Sequence, residues 1–426
     1  MDLLELYKDT ITAPFFQPIA EDVKNAENKY DCSVTSDEEW IATGIYRILG
    51  NHRSGREFFQ DARTNSLGAI DIKRANFNQG LKSKRRLNHL CCVNQSFLRR
   101  RASDAFNDKS GNFDPSLDNF HIYSGDGHFH AASCHEKRFE NGKKYAVGHL
   151  YSQNLRNQDV SHLAISYDGV KKKPHDITTL KKADMRLLRH GAPKGQQVLN
   201  IWDRAIIDFP FWNKSKEQFG IYFATRCKEN MTKEVSGNLP FDRQSDLNSG
   251  VVTDQYIAAG GRQIRMITYM DLETGETYEF ITNLPQTVPP GAVVQLYRMR
   301  WDIEKVFDEF KNKFEEKKSW AASKTAKHMQ AQFIALAYNL TRLFKRSLKM
   351  EVDNIDKEEN KRRDKRWEKT EEAYRKNNRL IPRYYCEQRR STQIGVKFIR
   401  WLRNLVFRLT SYELSLSLLR HEYDQK

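Results

Sequence analysis

Apolar residues along this chain change period several times, and each change marks an element. Ser36 is followed three residues later by Glu39, the spacing of a helix capping box, and Trp40, Ile41, Ile45 and Ile48 then recur at helical spacing. Residues 1–36 show no such regularity and read as a loosely structured lead-in. Residues 69–83 and 84–101 predict further short helices crowded with Lys and Arg. From Asn119 the period drops to two, and 119–129, 144–152 and 161–168 predict three strands, the last two joined by the turn NLRNQD. A helix is expected over 181–190, closed by Gly191, and then a short apolar strand at 198–202. Strand-like runs follow at 219–226, 251–259, 262–270 and 277–284, with a hairpin turn at 271–275. Pro285, Pro289 and Pro290 end this series. Helical patterns return at 293–314, 323–348 and 392–420, separated by a charge-dominated stretch at 351–379 that reads as a solvated helix or mobile linker.

Three strands, a helix and a fourth strand in that order resemble a ribonuclease-H-like fold. The expected class is α/β (α+β): a ribonuclease-H-like mixed sheet flanked by helices, interrupted by a β-strand insertion, with helical N- and C-terminal regions. The chain divides into a helical region at 1–115, which reads as a DNA-binding unit or, alternatively, as a structural cap on the core, and a first part of the core at 116–205. A β-rich insertion at 206–276 and a second part of the core at 277–348 follow. A charged linker and C-terminal helical region at 349–426 complete the chain. The C-terminal helices read as a small core of their own, unless a partner covers them.

Composition sharpens the picture. In 426 residues, Lys plus Arg reaches 71 against 55 Asp plus Glu, a formal charge of +16, which favours a polyanionic partner, nucleic acid first. No run of about 18 apolar residues exists to span a membrane, and the first residues lack the basic-then-apolar pattern of a secretory signal. Six cysteines without framework spacing fit a reducing compartment. A phosphate loop of the Walker type and a Gly-x-Ser-x-Gly elbow are both missing, so chemistry driven by ATP or an active-site serine is not expected. His128, His130, Cys134 and His135 stand close together, but no second ligand pair has finger-like spacing. They read as hydrogen-bonding or DNA-facing residues.

The stretch VVQLYRMRWDIEKVFDEFKNKF carries the most specific chemistry. With Tyr297 at zero and about 100° per helical residue, Arg300 falls near about −60°, Glu304 about −20° and Lys311 about −40°. An unbroken helix would therefore gather a phenol, two bases and an acid in one arc. Ile303, Val306, Phe307, Phe310 and Phe314 would line the adjoining apolar arc. Tyr-x2-Arg-x3-Glu-x6-Lys, preceded by FITNLP, resembles the YREK signature of DDE transposases of the insertion-sequence-four family.

In that family the glutamate is the third catalytic carboxylate, which implies Asp126, Asp203 and Glu304 as the acid triad. Asp126 ends the first strand within Gly125-Asp126-Gly127, where missing Cβ atoms would let backbone approach a metal-bound phosphate. Asp203 leaves the fourth strand in a word similar to the family's DRG, and Asp208 is its weaker rival. Three carboxylates suit two Mg²⁺ ions, with Mn²⁺ as a substitute. The resemblance further implies that Tyr297, Arg300 and Lys311 hold phosphates of a cleaved DNA end, and that Arg226 and Lys228 touch the DNA backbone. The expected function is cut-and-paste transposition by a homodimer on double-stranded DNA, at the terminal inverted repeats of its own insertion sequence and at a target. The setting would be the bacterial cytoplasm, by the nucleoid. The alternatives are a transposase-derived DNA-binding protein that does not cut and a general ribonuclease-H-like nuclease.

Overall fold

In the computed structural model, the central sheet of nine strands among the described residues runs in the order β3-β2-β1-β4-β5-β9-β8-β7-β6. The structure describes the chain apart from residues 1, 31–33, 65–69, 112, 139–141, 143, 169–175, 260, 315, 350, 353–354, 382–393, 407 and 425–426. Strands β1 (Phe120–His130), β2 (Val147–Asn154) and β3 (Val160–Asp168) form an antiparallel meander. Strands β4 (Gln197–Ile201) and β5 (Ile221–Arg226) then run parallel to β1 on its other side. The neighbouring first and fourth strands are what a ribonuclease-H-like sheet requires.

The strands after β5 do not form a separate layer. Strand β9 (Thr277–Thr282) pairs antiparallel with β5, and β8 (Arg262–Met270), β7 (Val251–Ala259) and β6 (Glu234–Asn238) continue the same sheet outward. A buried ion pair, Arg265 Nε to Asp254 Oδ1 at 2.9 Å and Nη2 to Oδ2 at 2.7 Å, ties β8 to β7. The same guanidinium reaches the Pro285 carbonyl at 2.9 Å, so its donors are largely satisfied.

The helices are α1 (Thr12–Phe16), α2 (Ala20–Asn25), α3 (Asp37–Leu49), α4 (Gly55–Thr64), α5 (Arg74–Gly80), α6 (Lys84–Asn107), α7 (Asp176–Lys182), α8 (Phe209–Phe219), α9 (Pro290–Met299), α10 (Asp302–Asn312), α11 (Lys324–Leu348) and α12 (Lys357–Lys376). Two more close the chain at Val396–Val406 and Tyr412–Asp424. Helices α9, α10 and α11 cover one face of the sheet, and α7 and α8 the other. Ser36 and Glu39 make the expected capping box on α3, at 3.1 and 3.0 Å. Ser323 caps α11 through the Ala326 amide at 3.2 Å.

Three local readings are corrected. The lead-in is ordered: Ile11, Phe15, Phe16, Ile19 and Val23 are fully buried in one cluster with α3, α6 and α11. The helix expected over 181–190 is split, because the Asp184 carboxylate accepts from the Arg186 amide at 2.9 Å and starts a new 3-10 turn at Met185–Arg189. The C-terminal helices have no core of their own, since Phe398, Leu402 and Leu419 join the cluster that holds Phe15 and Phe344. In the charged stretch, α12 is a helix with Thr370 and Tyr374 buried.

The stack of α3 on α11 is tight enough to test. A Cβ built on Gly44 would lie 2.2 to 2.7 Å from ring atoms of Phe333, a fully buried residue of α11. Gly44→Ala gains about 1 kcal/mol of helix propensity, but overpacking costs about 1–3 kcal/mol or more. The expected net effect is a melting midpoint lowered by a few degrees. An unchanged or raised midpoint would show that the Phe333 ring has room to turn.

Candidate active site

Strand register brings the first two acids together. The parallel pairing of β1 with β4 ends at Ser124 opposite Ile201. Asp126 and Asp203 each stand two residues beyond that pair, and the charge of Asp203 acts on Asp126. Side chains two apart on a strand share a face, so Asp126 points with His128 and His130 toward α10. Asp203 leaves β4 and caps a 3-10 turn, its carboxylate accepting from the Ala205 amide at 2.9 Å. Its rival Asp208 does other work: it caps α8 through the Phe211 amide at 2.9 Å and pairs with Lys181.

The third acid arrives on α10. The Phe307 ring stacks on His128 with centroids 4.7 Å apart and planes 27° apart. Glu304 lies one helical turn before Phe307, and Asp126 lies two residues before His128. One docking contact thus sets both acids over the same spot. Ile303, Val306, Phe307, Phe310 and Phe314 are all buried, as their spacing predicts.

The signature stretch is not one helix. Helix α9 stops at Met299 and α10 starts at Asp302, joined by i→i−3 bonds from Arg300 to Tyr297 at 3.1 Å and from Ile303 to Arg300 at 3.3 Å. The turn tightens where Arg300 swings inward, 6% exposed, while Trp301 stays in solvent at 56%.

Arg300 is the electrostatic centre of the group. Its Nη1 lies 2.6 Å from Asp126 Oδ2 and its Nη2 3.0 Å from Glu304 Oε1. The Asp126 carboxyl is nevertheless pushed up to about 6. Burial is the main cause; the Arg300 charge and a 2.7 Å bond from the Gly127 amide oppose it, and the charges of Asp203 and Glu304 add to it. Tyr297 packs its ring on Phe280 at 5.1 Å, and burial raises its hydroxyl pKa against the pull of Arg300. The charges of Asp203 and Arg226 also act on Tyr297, so Arg226 borders the same space. Arg226 also lies over the Tyr278 ring at 4.7 Å. Lys311 is exposed two turns beyond Glu304, and Lys228 is half-buried just past β5.

Arg300 joins Asp126 to Glu304 and the charge of Asp203 acts on Asp126, but the three carboxylates are not a group whose ligand atoms lie within 4.8 Å of one another. They offer oxygens that suit a hard divalent cation, and one guanidinium against three acids leaves negative charge uncompensated. Glu304 keeps 38% of its side chain open to solvent. Such a group lies on the same face of β1: His128, His130 and Glu316 bring ligand atoms within 4.8 Å of one another. Both histidines are buried, His128 against α10 and His130 hydrogen-bonded to Ser319, so of the two readings the hydrogen-bonding one holds for His130 and the DNA-facing one is corrected; Cys134 is exposed and outside the group. Glu316, Ser319 and the facing His149 and His162 were missed. Only the alternation of His128, His130, His149 and His162 on three strands signalled them, and that needs the strand register.

Gly125 also has a packing role. A Cβ there would meet the Trp202 indole at 2.3 to 2.7 Å. The missing side chain makes room for Trp202, the residue before Asp203. A cavity of 1070 Å³ opens elsewhere, lined by Tyr123, Asp159, Arg189 and His190 among others, and none of the three acids borders it.

Residues 159–340 match the family profile described as a transposase DDE domain. That span contains Asp203, Arg226, Lys228, Tyr297, Arg300, Glu304 and Lys311 and leaves Asp126 outside. Among solved structures, the chain is similar to the piggyBac transposase synaptic complex with hairpin DNA, at 12% identity and a TM-score of 0.39. The alignment covers 99% of this chain and 84% of that one. No curated protein matches. No described helix is long and apolar enough to cross a membrane.

The Gly125–Trp202 contact couples stability to the acids. Gly125→Ala is expected to cost about 1–3 kcal/mol by overpacking and to displace Trp202 together with Asp203. A chemical-denaturation midpoint should fall, and any metal-dependent activity should fall with it. Wild-type values for both would remove Trp202 as the positioning element.

Proposed function

We propose that the protein is a DDE transposase that binds the ends of its own mobile element and catalyses strand cleavage and strand transfer. The observation that carries this reading is the Arg300 bridge between Asp126 and Glu304, with the charge of Asp203 acting on the same Asp126. The match of residues 159–340 to the transposase DDE domain supports it, as does the surplus of positive charge.

Asp126, Asp203 and Glu304 would hold two Mg²⁺ ions, or Mn²⁺ in their place. When bound, such ions activate the attacking oxygen and stabilise the leaving one. The remaining work falls to the protein. Arg300, once it gives up its carboxylate partners, offers a fork for a phosphate, and Lys311 a point charge. Tyr297 donates its hydroxyl from a rigid, ring-packed position. Arg226 and Lys228 extend the basic border along a DNA backbone. No serine or cysteine takes part, so water attacks first and the freed 3′-hydroxyl second, without a covalent protein–DNA link. The acting form would be a homodimer or larger assembly that pairs two DNA ends, as an insertion-sequence transposase of the YREK subclass does, in a bacterial cytoplasm.

Full-length protein, Mg²⁺ and duplex DNA carrying the element's ends make the test. Specific nicking is expected, lost on chelation. Glu304→Gln should bind the same DNA and lose cleavage by at least about 10²-fold. Cleavage by that variant at the native rate would falsify the role of Glu304. Binding without nicking by the wild-type chain favours the derived DNA-binding protein. Equal cutting of unrelated duplexes favours the general nuclease.

A further inference from the structure

We propose that His128, His130 and Glu316 form a buried structural site for zinc or a similar divalent transition metal, separate from the three acids. The ligand atoms lie within 4.8 Å of one another, and the residues are 2%, 5% and 0% exposed. The atoms that converge are those left without a hydrogen bond: His128 Nε2, His130 Nδ1 and Glu316 Oε2. His128 Nε2 and Glu316 Oε2 face each other at 3.0 Å, and His130 Nδ1 stands 3.8 Å from Glu316 Oε1. A tetrahedral zinc with bonds of about 2.0–2.1 Å sets its ligand atoms roughly 3.4 Å apart, so the His128–Glu316 pair is near that spacing and the His130 ring must rotate inward on binding.

The far side of the ligands is already built. His130 Nε2 is held by Ser319 Oγ at 2.8 Å, and Glu316 Oε1 accepts from the Tyr151 hydroxyl at 3.4 Å. Outer partners of this kind orient metal ligands and fix the imidazole tautomer. The nearby Lys327 is neutralised by Glu136 at 3.1 Å. His149 stacks on His130 with centroids 5.0 Å apart but lies outside the converging group, so a bound water would supply the fourth ligand.

Two nitrogens and a carboxylate oxygen are a donor set that zinc accepts and Mg²⁺ does not favour. All three ligands are buried from solvent, which suits a structural rather than a catalytic ion. Its effect would be to clamp β1 to the segment that leaves α10. That segment already docks on β1 through Ser319 N to Ala131 O at 2.9 Å and Ala131 N to Lys317 O at 3.0 Å. A clamp there holds Glu304 over Asp126 from one end of the helix that carries it.

The full-length protein, purified from zinc-supplemented cells, would be assayed for bound metal by mass spectrometry and, after exchange, for the visible spectrum of tetrahedral Co²⁺. About one zinc per chain is expected. Glu316→Gln should lose it, and Ser319→Ala should weaken affinity about 10–100-fold. Asp126→Asn should retain it, which separates this site from the acids. Circular dichroism establishes that each variant is folded; if Glu316→Gln is not, Ser319→Ala decides. A folded wild-type chain that holds no more zinc than Glu316→Gln and gives no Co²⁺ spectrum overturns the proposal. So does zinc lost from Asp126→Asn but kept by Glu316→Gln.

Discussion

Three carboxylates cannot share a half-buried site unless something positive sits among them. Two like charges 4 Å apart repel by about 4 kcal/mol at an effective dielectric constant near 20. Arg300 answers that constraint, with one nitrogen on Asp126 and another on Glu304. The need is mutual: a guanidinium 6% exposed would be costly to bury without acids. It also explains the break in the signature helix, since Arg300 must turn into the sheet while Trp301 stays outside. On the proposed reading the same guanidinium later changes partner, from carboxylate to phosphate, which its planar fork allows and a lysine would do less well.

The geometry that makes this bridge available depends on two periods agreeing. Strand β1 repeats every two residues and α10 every three to four, so Asp126 and His128 meet Glu304 and Phe307 in pairs. Asp203 enters by a different route, through the parallel register of β1 with β4. Trp202 beside it fills the space that Gly125 leaves. The helix places Glu304 against the Asp126 strand, while register and glycine together place Asp203, just past the end of β4.

Much of this was legible in the sequence because it is local. The capping box at Ser36 and Glu39, the strands at 251–259 and 262–270, and the apolar arc of 303–314 all follow from period and end signals. What failed was periodicity interrupted by special residues. Ile11, Phe15, Ile19 and Val23 repeat every four residues, yet Pro18 cuts the stripe into pieces too short to register as a helix. Asp184 did the same to 181–190 by capping a turn within it. Arg300 was read as one more point on a helical arc, because its partner 174 residues away cannot be seen in a pattern of spacing.

Glu316 shows the limit more sharply. It stands beyond the last turn of α10, outside any repeat, and yet it is fully buried against two histidines of β1. A carboxylate in such a place is costly unless paired or bound to a cation. The histidines beside it extend across β2 and β3 to His162, and through Gln332 to α6, so the polar interior is continuous from the sheet to the outer helices. An apolar core would have joined these layers at lower desolvation cost. The chain instead keeps ligand-forming groups there, next to the strand that carries Asp126. On the proposed readings, metal binding would account for the buried polarity on this face of β1 twice over, once at the acids and once at the buried histidines.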